Sequence, residues 1–416
     1  MLICAVFGRG KSRRCRRAIL MAVGCCAKTT PATRAMKIDR RLLFFCAAAS
    51  AFTPRLPAKV IRHTRLPVWP AWQGVPLLIL SQLPGPCRSI ADKLEDAFGG
   101  RVCPMQFNPQ EADPFVLLVH HRHAFRPFDF LRPIFSKVIM PEGFPAHPHR
   151  GFETVTYVLP GRAGLTHRDS EGCKMRYGDG AVQWMTAGRG MLHEEMWDTD
   201  YAVDAELYQL WVNLPPGSKM VPPRVQLIEP VSGSGKAAEV IREGSTSVRR
   251  APIVEEVTQG GRVNVKFLCA AGEDRGAETY TPMTIAHVEL NGEGASHTMP
   301  LPEGWTCIVY VRRGQVSFGG GEGAKQYETA YLSRSGGDGL ALTNAGNGLT
   351  DVLVLAGQPI GAPVVASGTM VMNDQFEVNR ALADYQRGAF GIPWDHTLDD
   401  AEWAKQCDQF VERMRV

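Results

Sequence analysis

At 416 residues and 44% hydrophobic content, the chain can hold two ordinary domains and a sizeable core, as soluble globular proteins do. Its formal charge of +4 is unevenly placed: residues 1–91 hold 16 Lys and Arg against one acid, Asp39, a local +15 that leaves −11 for the rest. An acidic body offers phosphates no general attraction, so direct nucleic-acid binding is excluded as a first expectation and a role in transcription would run through a protein partner.

In chain order, residues 1–91 read as a disordered targeting presequence. From Met36, the charged residues Lys37, Asp39, Arg40 and Arg41 precede the apolar run Leu42 to Ser50 and the small residues Ala49, Ser50 and Ala51. This is signal-peptide grammar, and residues 36–51 are the signal-like part. The run is far shorter than the ~20 residues a membrane-crossing helix needs, and no other segment is long enough, so no membrane anchor is expected. Residues 52–91, opening with Phe52, Thr53 and Pro54 and basic through Arg55, Lys59, Arg62 and Arg65, are transit-like. The junction resembles the bipartite plastid presequences of algae with secondary plastids, which predicts an organellar protein. The alternative is an over-extended start on a cytoplasmic or nuclear one.

From Phe115 onward, short β-type runs (Phe152 to Leu159, Gln209 to Leu214, Arg262 to Cys269, Cys307 to Val311) alternate with Gly and Pro turn signals. The spacing predicts an all-β fold of sandwiches or barrels in two blocks, 112–226 and 261–394. Between them, 227–260, rich in Ser, Gly and charge around Ser232 to Arg250, reads as a linker or long loop. Asn373 or Asp374 caps a predicted helix carrying Phe376, Val378, Leu382 and Tyr385 until Gly388, and 395–416 is a tail. Seven of the eleven cysteines precede the folded region, and Cys173, Cys269, Cys307 and Cys407 are too scattered for a disulfide or zinc-ribbon framework. Buried free thiols are expected.

The chemistry lies in two pairs. His147 and His149 precede the alternating run Thr154 to Val158, and side chains two apart on a strand share a face, so both imidazoles can point into one barrel. After the turn Gly188, Arg189, Gly190 come His193, Glu194 and Glu195, where the same period pairs Glu195 with His193 and turns Glu194 away. Three imidazoles and a carboxylate suit Fe(II), Mn(II), Ni(II) or Cu(II), whereas a structural zinc more often takes closed Cys-rich coordination. Glu153 is a candidate for orienting an imidazole or accepting a proton. His120, His121 and His123 read as a partly exposed loop or strand end, and His167, among Arg168, Asp169 and Glu171, as a hairpin stabiliser.

Residues 143–161, GFPAHPHRGFETVTYVLPG, and 178–196, GDGAVQWMTAGRGMLHEEM, resemble the two defining cupin motifs of the pirin family. The likeness runs on through Leu210 to Leu214 and, more loosely, Leu301 to Val311, Val354 to Pro359 and Val371 to Asn373. It implies a bicupin of two jelly-roll barrels, with one Fe(II) per chain, or another divalent metal such as Mn, Ni, Cu or Zn, in the first barrel only. The family's ligands fall on His147, His149, His193 and Glu195. At Glu194 many relatives carry a small residue. The resemblance implies either a flavonol (quercetin-type) 2,3-dioxygenase taking an enolic substrate and O2, with Glu195 or Glu153 as catalytic proton acceptor, or an iron-dependent redox-sensing co-regulator that binds a protein without turnover.

Overall fold

The computed structural model describes residues 52–67, 100–123, 143–198, 204–230, 238–244, 246–251, 253–258, 261–319 and 321–415. The signal-like segment 36–51, the remainder of the transit-like stretch beyond Pro67, and six of the cysteines lie outside them.

Both blocks are antiparallel sandwiches, as the strand spacing predicted, and the protein is a bicupin. In the first, a five-stranded sheet (in order 238–242, 174–177, 165–169, 191–197, 143–149) faces an eight-stranded one, in which the strand Phe152–Val158 lies between Val182–Thr186 and Ala205–Asn213. Leu165, Met175, Met185, Met191 and Leu207 fill the space between the two. The second block pairs a seven-stranded sheet with a four-stranded one around Val265, Val288, Val309, Phe318 and Val354.

All seven residues of Phe152–Val158 are buried, because this strand has protein on both faces. Phe152, Thr156 and Val158 face their own barrel. Val155 and Tyr157 join the apolar seam made with Ile285, Ile308, Tyr310 and Leu355 of the second barrel. A buried polar chain stitches the same seam. Tyr157 donates to His287 Nδ1 (2.7 Å), whose Nε2 faces Asp351 (3.0 Å), and Arg312 bridges Asp351 (2.9 Å) to Glu206 (3.1 Å). His120 joins Glu206 (3.0 Å) to Tyr310 (2.9 Å).

Three expectations are corrected. Phe52–Pro67 is part of the fold: the strand Pro57–Arg62 pairs with Glu328–Leu332 at the edge of the second barrel. Buried Arg55 locks it by donating to the carbonyls of Gly337 (2.8 Å), Leu301 (2.9 Å) and Trp305 (3.1 Å). Basic side chains are a common guard on sheet edges, and an edge strand so protected has the composition of a transit segment. The 227–260 stretch is likewise strand-forming. Ala238–Arg242 extends the five-stranded sheet, 246–251 runs parallel to Arg224–Pro230, and 253–258 edges the second barrel. Its charges mark edge strands, which have a wet side.

The tail, finally, contains a second helix, Asp400–Arg415. The predicted helix is Gln375–Gln386, capped by Asp374, whose side chain accepts from the Glu377 amide (2.7 Å). It buries Val378 and Ala381, and leaves Phe376 exposed. Both helices sit on the first barrel: Phe390, Trp394, Trp403 and Cys407 cluster with Leu192 and Ala146. No helix among the described residues is long and apolar enough to cross a membrane. Cys103, Cys173, Cys269, Cys307 and Cys407 are free and buried.

Candidate metal centre

The strand Gly143–His149 pairs antiparallel with Met191–Trp197, setting His193 opposite His147 and Met191 opposite His149. Ring nitrogens of His147, His149 and His193 all lie within 4.8 Å of one another. Nε2 of His147 and Nε2 of His193 are 3.1 Å apart. Two nitrogens each about 2.1 Å from one ion and at a right angle stand about 3.0 Å apart, so the spacing is that of neighbouring ligands. His147 Nδ1–H donates to the Pro145 carbonyl (2.7 Å), which leaves the Nε2 lone pair for a ligand.

Burial decides what this cluster is. His149 and His193 are 1% and 0% exposed, and both nitrogens of His149 and Nδ1 of His193 have no hydrogen-bond partner. Burial, and the charge of His147 beside it, hold the His149 pKa well below its ordinary value, and burial with His147, His149 and His167 does the same for His193. These rings are neutral lone-pair donors, the form a metal requires. Two other groupings, His167 with Asp169 and Cys173, and His287 with Glu289 and Asp351, differ because protein partners already engage them. His167 Nε2 meets Asp169 (2.9 Å), Asp169 caps the amides of Glu171 and Cys173 (both 3.0 Å), and His287 is held between Tyr157 and Asp351. The orphaned nitrogens fit a divalent metal at the three-histidine cluster.

Glu195 is buried on the same face as His193, one pleat further. Its carboxylate does not belong to the 4.8 Å grouping. It accepts from Tyr177 (2.5 Å), Thr156 (2.7 Å) and, at 3.4 Å, Gln209. A register shift between His193 and Glu195 sets Glu195 opposite Phe144, an irregularity the strand period alone does not reveal. Glu194 points away and is bound by Arg168 (2.5 Å) and by Trp394 Nε1 (2.9 Å).

Glu153 is not brought to the cluster. Its neighbour Phe152 packs on His149, with ring centroids 5.1 Å apart, so Glu153 lies on the other face of its strand, accepting from Thr186 (2.7 Å). Counted from Phe152, beyond the turn at Gly151, period two places Glu153 on the far face. His120 and His121 are buried within the strand Phe115–His123, not on a loop. His120 serves the seam, while His121 packs against Trp197 (5.2 Å between centroids) and Phe144 (6.3 Å). His167 lines the site, its ring 5.5 Å from that of His193, held between Asp169 and Gln183. Trp211, which the sequence offered only as a strand residue, packs tilted against Phe152 (4.7 Å between centroids) and edge-to-face with His149 (5.7 Å), forming an aromatic wall.

Residues 99–212 match the Pirin family model, and residues 285–391 the model of the pirin C-terminal cupin domain. Human pirin is 34% identical over 253 residues, covering 61% of this chain and 79% of its own. A Pseudomonas aeruginosa protein named as a candidate quercetin 2,3-dioxygenase is 35% identical over 286 residues, covering 68% and 87%. The crystal structure of quercetin 2,3-dioxygenase from Acinetobacter baumannii superposes with a TM-score of 0.56 at 32% identity, covering 71% of this chain and 93% of that one. Two matched cupin domains, relatives above 30% identity over most of their length, and histidines on paired strands agree that the chain belongs to the pirin family.

Proposed function

We propose that this protein is a metal-dependent dioxygenase of the quercetin 2,3-dioxygenase type, with Fe(II) held by His147, His149 and His193 and with Glu195 as its carboxylate. The observation that carries the reading is the cluster of three imidazoles, two of them, His149 and His193, buried with ring nitrogens that lack hydrogen-bond partners. The relatives named for this activity support it. A divalent ion held there would supply positive charge to stabilise an enolate.

The chain's own residues do the rest. Trp211 and Phe152 present aromatic faces to a flat substrate. Tyr177 and Thr156 fix one oxygen of Glu195, leaving the other, met only by the long Gln209 contact, as the acceptor for the substrate's enolic proton. Glu153 has no part in this scheme.

Metal analysis of the purified chain, followed by an oxygen-electrode assay with quercetin, tests the reading. We expect one metal per chain and oxygen uptake that disappears in His149→Ala and His193→Ala together with the metal. A metal-replete protein that consumes no oxygen with any flavonol overturns the enzyme and leaves a metal-held binding module.

A further inference from the structure

We propose that the cleft between the two barrels holds a second site, separate from the metal centre, for a small multivalent oxyanion. A cavity of about 100 Å³ opens there, lined by Arg65, Arg122, Arg162, Arg312 and Arg313 with Glu206 as its one acid. The space suits a phosphate or a short dicarboxylate. Its walls come from three parts of the chain. Arg122 and Arg162 belong to the first barrel, Arg312 and Arg313 to the second, and Arg65 to the amino-terminal segment.

The arginines are held in place. Asp204 takes Arg122 (3.2 Å), Glu206 takes Arg162 (2.9 Å) and Arg312 (3.1 Å), and Asp351 takes the far side of Arg312. Arg65 lies over the Tyr327 ring, 4.9 Å from its centroid, and donates to the Tyr327 hydroxyl (3.1 Å). Guanidinium forks fixed this way can grip an oxyanion in pairs without first losing rotamer freedom.

Two further observations point to a ligand. Tyr327 has φ +64°, the left-handed region a bulky side chain rarely enters. That backbone aims its ring into the cavity wall, 6.4 Å from His120. Strain of this kind clusters at binding sites. Glu206 also reports the local field: burial alone would raise its pKa, yet the His120 hydrogen bond and the charges of His120, Arg312 and Arg162 hold it at about 2. Five arginines supply the permanent positive charge of the lining.

The test uses the full metal-loaded chain, titrated with inorganic phosphate and followed by thermal unfolding, with potassium chloride at matched ionic strength as reference. Wild type should show a saturable rise in Tm with phosphate. Arg313→Gln, on the exposed rim, and Arg65→Gln should each shift the half-maximal phosphate concentration upward by about tenfold, the loss of one charge-assisted contact. Metal content should stay as in wild type. Malonate as a second probe assigns the pocket to carboxylates if it alone gives the variant-sensitive response. A response no greater than that to chloride, or one that both variants leave intact for both anions, overturns the proposal.

Discussion

His149 and Glu153 stand four positions apart and meet opposite fates, because a turn at Gly151 resets which face the chain presents. The histidine turns its ring, whose nitrogens find no hydrogen-bond partner, toward His147 and His193, while the glutamate enters the opposite face with one hydroxyl donor. Burial raises the Glu153 pKa to about 7. A carboxyl whose folded pKa lies above its unfolded value of 4.5 stabilises the fold most below that value and loses this contribution as pH rises to about 7. Glu153→Gln should therefore match wild type near pH 5 and exceed it at pH 8 by about 1–3 kcal/mol, read from urea unfolding at the two pH values. Equal stabilities at pH 8 would refute it. Tyr177→Phe tests the other carboxylate: metal content should hold while the oxygen-uptake rate falls by about 10–100-fold, since Glu195 loses a hydroxyl that positions it. The histidines were legible in the sequence because two-residue spacing is a strong signal. The face of Glu153 was not, because the turn between the two runs hides the change of face.

Between strands and helices, the decisive element is the carboxy-terminal return. After the second barrel closes, the strand Met370–Met372 and two helices cross back to the first. There Arg150, next to the His147 and His149 strand, meets Asp384 (2.7 Å) and the Arg189 carbonyl (2.6 Å). Gly151, at φ +84°, packs so tightly that an added Cβ would lie 2.2 Å from the Val371 carbonyl oxygen. Gly151→Ala should cost at least about 2–3 kcal/mol and reduce metal retention, measured by thermal unfolding and metal analysis. Trp403→Ala, which empties a 1% exposed site, should cost about 3–5 kcal/mol by denaturant titration. The helix Gln375–Gln386 announced itself by its cap. Its target did not, since apolar periodicity shows that a face is covered but not by which barrel. The same gap hid the helix Asp400–Arg415, whose mean polarity reads as a tail although Trp403, Cys407 and Phe410 are buried along one side.

Across the whole molecule, the seam joins two barrels that the sequence could only place side by side. Val155 and Tyr157 fall in a β-type run of the first block and Tyr310 in one of the second, yet they share one apolar layer. Within it, Asp351 is 0% exposed and held by His287 and Arg312. Although burial opposes it, those partners keep the Asp351 pKa below its ordinary value, so the contribution is present above about pH 4 and is lost as pH falls. Asp351→Asn leaves Arg312 short of its partner in a buried site and should cost about 3–5 kcal/mol at pH 7, with the difference shrinking in acid. Chemical denaturation across pH 3–7 would show it, and a pH-independent difference would contradict it.

The return of the carboxy terminus also sets a clock on assembly. Val371 leaves the ribosome some two hundred residues after Gly151, on the order of ten to forty seconds at ordinary elongation rates. During that interval the histidine strand exists without its clasp.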